Sequence, residues 1–443
     1  MKLNSEMLTE ALNLEYCPTF EATGISIDSR NIQRGDIFFA IKGNNFDGNA
    51  YATEALNKGA VLAIIGDPSY KTSDKMIVVE DTTETLKKLG LYVKNKVGLK
   101  KVIGITGSVG KTTTRSWLLE VLGNFHKAFS SIKNYNTIYG LPISLSLMDP
   151  GTEFGVFELG TSSPGEISEL SCYLEPDVAI ITNIYESHIC GFGSKQHLAS
   201  EKISIIDGMN AGGFLIYDGD SEFREEIKQA ASQKHLTLFS VGFSENCDFR
   251  VMSSNEYNIV FKTPQGIYEC KLGCNARHFS YIGAGVVACL YALGLNFEKY
   301  LECFEKLSPL KGRGEVSSYS HKNKKFKVID DSYNASPSAM IAAIDRLSAY
   351  GNRRIAIIGQ MLELGEHTEH YHRIIAEKIK TIEIDSVFFI GDSYLHSFFE
   401  AECFESIDNF AIEKILEIIE NDDIVLLKGS NSIRLNRFVD YIK

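Results

Sequence analysis

The sequence contains no long apolar segment. Its first seven residues lack the apolar run of a signal peptide. No window reaches the roughly 18 consecutive apolar residues that a membrane-spanning helix needs. We therefore expect a cytoplasmic protein that is not inserted in a membrane.

Basic residues are not in excess, since 45 Lys and Arg stand against 57 Asp and Glu, for a net charge of −12. Nucleic acids and anionic membrane surfaces favour basic proteins, so this balance argues against both as main partners. A local basic pocket for phosphate groups is compatible with it.

A disulfide framework is also missing, because the nine cysteines are odd in number and scattered, which is typical of reduced thiols in a cytosol. Cys270 and Cys274 are the closest pair, in a strand-like stretch without a second pair of metal ligands, so a structural role is favoured. His367, His370 and His372 resemble a metal cluster, but their spacing and the lack of cysteines favour the polar start of a helix.

At 443 residues the chain is too long for one ordinary core, which predicts two to four domains. Residues 1–98 mix helical stretches with short β-like runs at 36–41 and 61–65, which predicts a small N-terminal α/β domain.

From Lys101 onwards, apolar strands run into polar or glycine-rich turns and then into helices. Such strands at 102–105, 154–157 and 178–181 predict a central domain, 99–312, with a mostly parallel sheet covered on both faces. The alternation of strands and helices begins again after Gly312, with strands at 327–329, 354–358, 387–390 and 424–427. This pattern predicts a C-terminal, doubly wound Rossmann-like domain at 313–443.

Residues 104–113 form a glycine-rich loop between a predicted strand and a helix predicted over 113–122. In such a P-loop, backbone N–H groups and the helix N-terminus favour phosphate oxygens. Lys111 is expected to reach the β- and γ-phosphates of ATP, and the Thr112 hydroxyl is expected to hold Mg²⁺. The strict P-loop pattern is not met, because Ile105 stands where its first glycine belongs. A chance glycine turn is the alternative, and the strand–loop–helix context argues against it.

Ligands of open parallel sheets bind beyond the carboxyl ends of the strands. Glu158 and Asn183 each follow a predicted strand, and His188 lies on the loop beyond, so all three are expected to face the same crevice as Lys111. A carboxylate beside a phosphate loop suits a Mg²⁺ ligand, whereas a lone histidine on a loop is usually only exposed. Lys202 precedes an apolar-periodic stretch, a position typical of a solvated lysine at a helix start.

Taken together, these motifs resemble those of the Mur ligases of bacterial cell-wall synthesis over nearly the whole chain. The segments that carry the resemblance are 28–30, 46–48, 106–113, 134–140, 158–160, 164–167, 183–184, 186–188, 191–194, 312–315, 330–335, 361–365 and 428–430. Single segments are weak signals, but their order and spacing together are specific.

The resemblance implies a three-domain, ATP- and Mg²⁺-dependent ligase that forms an amide bond through an acyl phosphate. The segments 312–315 and 331–335 point to the branch that adds D-alanyl-D-alanine to a UDP-N-acetylmuramoyl-tripeptide. The first domain would hold the uridine nucleotide, the central domain ATP, and the third domain would bring in the dipeptide. We expect a monomer.

The resemblance also assigns roles to individual residues. Ser29 and Arg30 would lie near the uridine-diphosphate part of the substrate, and Arg313 and Asp331 would touch the γ-phosphate and the ribose. The metal set would be Thr112, Glu158, His188 and a carbamylated Lys202, and the nucleotide set would be Gly107, Ser108, Val109, Gly110, Lys111, Thr112, Thr113, Asn183, Arg313, Asp331 and Asn334.

This chain departs from the family pattern in several places. A stretch that usually carries two asparagines near the nucleotide is 276–282 here, with Phe279 and Ile282 at their positions, which puts the adenine contacts in doubt. Asn49, Gln360 and Asn431 also replace expected residues, but none of these changes removes a phosphate or magnesium ligand.

Other interpretations remain open at this point. Another ligase of the superfamily is one, such as the third-residue-adding enzyme or folylpolyglutamate synthetase. The lack of an Asp-Asn-Pro-Arg motif argues against the third-residue-adding enzyme. The uridine-nucleotide segment 28–30 argues against folylpolyglutamate synthetase. A P-loop switch or an inactive binding protein is a third interpretation, disfavoured by the retained Glu158, His188 and Lys202.

Overall fold

In the computed structural model, which describes residues 2–43, 46–186, 189–255 and 257–443, strands and helices alternate along most of the chain. The strands of the described part form four sheets. No helix within these residues is both long and apolar enough to cross a membrane.

The first 98 residues build a small parallel sheet of order β3-β4-β5-β6 and an antiparallel pair, β1-β2. The central strands β4 and β5 are buried along their whole length, as expected for a parallel sheet covered on both faces. The elements are β1 Leu3–Asn4, α1 Ser5–Leu12, β2 Glu21–Ala22, β3 Gly24–Ser26, β4 Asp36–Phe39, α2 Ala52–Asn57, β5 Leu62–Ile65, β6 Met76–Val78 and α3 Thr82–Val97.

Helix α3 connects this region to the middle of the chain. Asp81 caps its first turn and Gly98, with φ of 67°, ends it. Its buried residues Leu86 and Leu89 belong to the same apolar cluster as Leu141 in the middle region, so the two regions share one core. The predicted boundary after residue 98 falls at the end of this helix, and the division into domains stays a prediction.

The middle region contains the largest sheet of the described residues, of order β15-β14-β13-β12-β11-β10-β7-β9-β8. It is parallel from β8 to β13, and β14 and β15 are antiparallel, so the mostly parallel sheet is confirmed. The elements are β7 Lys101–Thr106, α4 Lys111–Gly123, β8 Ala128–Ser130, α5 Gly140–Ser146, β9 Phe154–Glu158, α6 Glu166–Leu174, β10 Val178–Ile181, α7 Ile189–Phe192, α8 Lys195–Ile203, β11 Phe214–Asp218, α9 Arg224–Gln233, β12 Thr237–Gly242, β13 Phe249–Asn255, β14 Asn258–Thr263, β15 Gly266–Lys271 and α10 Arg277–Ala292.

The register of this sheet positions the candidate site. Strand β7 lies between β10 and β9, with Thr106 opposite Ile181 and Ile105 opposite Glu158. The carboxyl ends of these three strands therefore open into one crevice, as the strand-end rule predicts.

The last region forms a third α/β unit with the strand order β16-β17-β21-β18-β19-β20. The neighbouring strands β17, β21, β18, β19 and β20 are parallel, and β16 is the antiparallel hairpin partner of β17. The elements are β16 Glu315–His321, β17 Lys324–Asp331, α11 Pro337–Ser348, β18 Arg354–Gly359, α12 Thr368–Lys380, β19 Ser386–Ile390, β20 Glu402–Phe404, α13 Asn409–Ile418, β21 Ile424–Lys428 and α14 Asn436–Ile442.

Alternating residues of these strands pack into different cores. Ile358 joins the apolar cluster that contains α11 and α12, whereas Ile355 and Ile357 join the cluster that contains α13 and α14. Helices therefore cover both faces of the sheet, which confirms the predicted doubly wound architecture.

His372 belongs to this core and not to a metal site. It is 1% exposed in α12, and its Nε2 accepts a hydrogen bond of 3.0 Å from the Met361 N–H. Across the residues that the structure describes, no group of three or more His, Cys, Asp or Glu side chains is arranged to hold a metal ion. His367 directly precedes α12 and is partly exposed, as a polar helix start predicts, whereas His372 is buried inside the helix, so the prediction is wrong for His372.

Candidate functional site

The glycine-rich loop joins β7 to α4 in a conformation that requires its glycines. Gly107 has φ of 141°, and a Cβ at that position would lie 1.9 Å from the Thr182 Oγ1. Gly110 has φ of 85° and directly precedes α4. The helix begins at Lys111, two residues before the predicted start, so Lys111 and Thr112 lie in its first turn. Helix N–H groups and the helix dipole therefore face the loop.

The tip of the loop is fixed to the segment that follows β10. The Asn183 side chain accepts from the Val109 N–H at 2.9 Å and donates to the Val109 carbonyl at 3.0 Å. The Ser108 Oγ donates to the Tyr185 carbonyl at 2.7 Å and accepts from the Tyr185 N–H at 2.8 Å. In this structure Asn183 thus holds the loop in shape.

Lys111 folds back over the loop that precedes it. Its Nζ donates to the carbonyls of Gly107 at 2.7 Å and Ser108 at 3.3 Å. Burial lowers the pKa of Lys111, the positive charge of Arg313 lowers it further, and the negative charge of Glu158 opposes the change. Arg313 is therefore close enough for its charge to act on Lys111, and the two cations together would neutralise phosphate oxygens.

Glu158 lies next to the loop at the end of β9 and is 5% exposed. Its Oε2 accepts from the Thr112 hydroxyl at 2.9 Å, and its Oε1 accepts from the Asn136 Nδ2 at 3.0 Å. A carboxylate and a hydroxyl beside a phosphate loop are the hard oxygen donors that Mg²⁺ prefers, so these residues fit the ion.

The role of Asn136 was missed by reasoning from the residues. The segment 134–140 entered only as part of the resemblance, because a single amide on a loop has no periodicity that predicts a contact. The structure shows that Asn136 fixes the orientation of the Glu158 carboxylate.

Lys202 lies in the last turn of α8 and is 2% exposed, so its interpretation as a solvated lysine at a helix start is wrong. Its pKa lies well below the ordinary value because of burial, and Lys111 lowers it further against the opposing charge of Glu201. Glu201 in turn accepts from the N–H groups of Gly165 at 2.6 Å and Ile167 at 2.8 Å. A buried amine without its proton is a nucleophile that can take up CO₂.

His188, the other predicted ligand at this edge of the sheet, lies outside the described residues. Its metal-binding role stays a prediction.

The third unit contributes residues from the ends of two parallel strands. Asp331 at the end of β17 forms an ion pair of 2.9 Å with Lys428 at the end of β21, and Lys428 also donates to the Asn334 carbonyl at 2.7 Å. Burial raises the pKa of Asp331 in spite of Lys428. The Arg313 guanidinium lies 3.9 Å from the centre of the Tyr333 ring. The structure thus brings Arg313, Asp331 and Asn334 to one edge of the sheet.

Ser29 and Arg30 lie in the first region, in a short turn after Asp28. Ser29 is buried, whereas Arg30 is exposed and donates to both carboxylate oxygens of Asp28 at 2.9 Å. This pairing lowers the pKa of Asp28 to about 2. The binding of a substrate by Ser29 and Arg30 stays a prediction.

Three family models match the chain in succession. They are the Mur ligase family, catalytic domain at residues 21–94, the Mur ligase middle domain at 105–288 and the Mur ligase, glutamate ligase domain at 312–431. The matches fall in the first, middle and last regions described above.

Relatives match over nearly the full length. A UDP-N-acetylmuramoyl-tripeptide–D-alanyl-D-alanine ligase of Rickettsia prowazekii is 30% identical and covers 99% of both chains. A crystal structure of MurF from Acinetobacter baumannii superposes with a TM-score of 0.88 at 26% identity, over 100% of this chain and 99% of that one. The MurF ligase of Thermotoga maritima, solved in complex with ADP, gives a TM-score of 0.81 at 27% identity, over 95% and 97% of the two chains.

Proposed function

The chain belongs to the Mur ligase family and is an ATP-dependent ligase, and from this premise we propose that it joins D-alanyl-D-alanine to a UDP-N-acetylmuramoyl-tripeptide in peptidoglycan precursor synthesis. The full-length similarity to relatives named for this reaction supports the substrates. The observation that carries the chemistry is the nucleotide loop with Lys111, Thr112 and Glu158 around it.

ATP would bind with its triphosphate on residues 107–113, the site of loop N–H groups and the α4 N-terminus. Lys111 would leave the loop carbonyls and donate to the β- and γ-phosphates, and Arg313 would approach from the third unit. Asp331 and Asn334 would meet the rest of the nucleotide from the same side.

Thr112 and Glu158 would hold Mg²⁺, with His188 and a carbamylated Lys202 as candidate ligands for a second ion. The bound metal would supply positive charge to the phosphate oxygens. Carbamylation is supported by the lowered pKa of Lys202, because only an amine without its proton attacks CO₂. The product is an anionic oxygen ligand in place of an amine.

The reaction requires two transfers. The terminal carboxylate of the tripeptide attacks the γ-phosphorus, which forms an acyl phosphate and releases ADP. The amine of D-alanyl-D-alanine then attacks the acyl carbon and expels phosphate, which leaves an amide. Lys111 and Arg313 stabilise the charge that develops on the phosphate oxygens, since phosphoryl transfer depends mainly on position and electrostatics.

The remaining assignments follow from the same premise. We propose that residues 1–98 hold the uridine nucleotide through Ser29 and Arg30, that 99–312 bind ATP, and that 313–443 present the dipeptide. We also propose that the enzyme works as a monomer in the cytoplasm.

A substrate panel tests the reaction. ADP release should require ATP, the UDP-tripeptide and D-alanyl-D-alanine together, and Lys111→Met should abolish it without loss of the fold. A dipeptide nucleotide offered with a diamino acid, and a folate offered with glutamate, serve as controls. Equal ADP release with either control pair would assign the chain to another branch of the superfamily.

A further inference from the structure

Residues 183–185, which follow β10 and hold the tip of the nucleotide loop, continue directly into Glu186. The residue before it, Tyr185, is bonded through both its N–H and its carbonyl to the Ser108 Oγ, at 2.8 and 2.7 Å. Two hydrogen bonds to one side chain tie the Tyr185 backbone to the loop tip. Glu186 is therefore joined to the loop tip through its neighbour Tyr185.

The carboxylate of Glu186 reaches the third unit of the fold. Its Oε2 accepts from the Ser338 hydroxyl at 2.9 Å, although the two residues are 152 positions apart in the chain. Ser338 lies in the first turn of α11, which follows the segment that contains Asp331 and Asn334. One hydrogen bond thus connects the loop side of the crevice to the element next to these two residues.

The other oxygen of the same carboxylate is held from the middle region. Glu186 Oε1 forms an ion pair of 2.9 Å with the Lys195 Nζ, and Lys195 also pairs with Glu222. Lys195 is the first residue of α8, the helix that carries Lys202 near its other end. The side chains of Glu186 and Lys195 are 18% and 31% exposed, so solvent screens this pair only in part.

A second contact between the middle and last units lies in a different place. The Arg346 guanidinium is 5.5 Å from the centre of the Phe279 ring and donates to the Gly314 carbonyl at 2.7 Å. Gly314 belongs to the covalent connection between the middle and last units. The contact made by Arg346 therefore lies at this connection and not at the nucleotide loop. The bond from Glu186 to Ser338 lies away from this connection, on the side of the crevice where the nucleotide loop is held.

We propose that Glu186 is a positioning residue that couples the nucleotide loop to the docking of α11, so that Asp331, Asn334 and Arg313 reach the nucleotide only when the loop is correctly placed. It acts through Ser338 and Lys195 and touches no reacting atom. The inference rests on the proposed function for its kinetic readout, but its structural readout is independent of the dipeptide substrate.

Kinetic measurements on Ser338→Ala, Glu186→Ala and the double variant test this coupling. A hydrogen bond to a charged acceptor is removed in each, so kcat should fall about tenfold. ATP affinity in the absence of the other substrates should fall by no more than about tenfold, because the loop N–H groups are intact and only the contacts from the last region are weakened. The double variant should lose no more than Glu186→Ala alone, since both changes break the same bond.

Two further variants separate coupling from a general structural effect. Ser338→Thr keeps the hydroxyl and should restore most of kcat. Ser348→Ala, at the other end of α11, removes a hydroxyl that donates to the Asp345 carbonyl within the helix, and it should behave as the wild type.

The structural readout is a fluorescence-transfer distance between one label in the middle region and one in the last region. A non-hydrolysable ATP analogue should shorten this distance in the wild type and in Ser348→Ala, but less in Ser338→Ala. Additive losses in the double variant, or the same shortening in Ser338→Ala as in the wild type, would overturn the proposal. A wild type that shortens the distance but releases no ADP with the dipeptide would refute the proposed function and leave the coupling supported.

Discussion

Replacement of Lys202 by methionine separates catalysis from stability at this site. The lysine is 2% exposed in the last turn of α8, and burial together with Lys111 holds the pKa of its amine well below the ordinary value. Methionine has a similar volume and no amine, so the core should repack with little change. The variant removes the only atom through which a carbamate could form at this position.

We expect Lys202→Met to be as stable as the wild type or more stable, because a polar group that is costly to bury has been replaced by an apolar one. Its kcat should fall by about 10²–10³, the usual loss when one preorganised group around a developing charge is removed. Thermal unfolding and ADP release measure the two effects, and intact-protein mass spectrometry should show one added CO₂ on the wild type and none on Lys202→Met.

Lys94→Met is the matched control, since Lys94 is also buried, at 9% exposure. Its Nζ donates to the Leu174 carbonyl at 2.6 Å and pairs with Glu175 at 3.1 Å, which ties α3 to α6. This variant should lose about 1–3 kcal/mol of unfolding free energy and keep its kcat. Wild-type turnover by Lys202→Met, or an equal loss of turnover in both variants, would refute the reasoning.

Substitutions at three further positions test separate parts of the structure. Asn136→Ala should lower kcat about tenfold with little change in melting temperature, because Glu158 loses the amide that orients it. Asn136→Asp should lower kcat further, since it places a second carboxylate beside Glu158 that repels it and cannot donate the orienting hydrogen bond. His372→Phe should cost about 1–3 kcal/mol in urea unfolding, because the Met361 N–H loses its acceptor, and metal chelators should leave the urea unfolding of the wild type unchanged. Burial raises the pKa of Asp218 to about 6 from 3.8, so the native state binds this proton more tightly and wild-type stability falls as the pH rises through this range. Asp218→Asn should therefore unfold like the wild type near pH 4 but be about 2–3 kcal/mol more stable above about pH 7.

The strands and the nucleotide loop were predictable because their signals are local. Apolar runs ending in polar residues placed β7, β9 and β10 to within one or two residues, and the strand-end rule brought Glu158 and Asn183 to the loop. The half-exposed strand β16 was missed, because its partner in the hairpin, and not its own composition, keeps it in the sheet.

Long-range contacts were not predictable, because no local pattern reports which side chains meet. The pairing of Glu186 with Ser338 depends on how two sheets are placed relative to each other. The burial of Lys202 has the same origin, since a lysine near apolar residues has the same sequence pattern whether its helix faces solvent or a crevice. Such contacts determine the electrostatics of the site.

The altered segment 276–282 gains a physical explanation from the structure. Phe279 is 1% exposed, and its ring lies 5.8 Å from that of Trp117 in α4 and 5.5 Å from the Arg346 guanidinium. A polar amide at this position would be buried against an indole ring. The phenylalanine therefore serves the packing of α10 against α4 and against the last unit.

The other residues of this segment act on the nucleotide loop itself. The Ile282 Cδ1 would lie 3.6 Å from a Cβ at Gly110, and the Tyr281 hydroxyl donates to the Thr182 carbonyl at 2.6 Å. Ile282 lies at the helix side of the loop, whereas Tyr281 and Asn183 act on it from the segment after β10. The segment thus contributes apolar support in place of amide groups. The nucleotide loop is therefore held in place without the two expected asparagines.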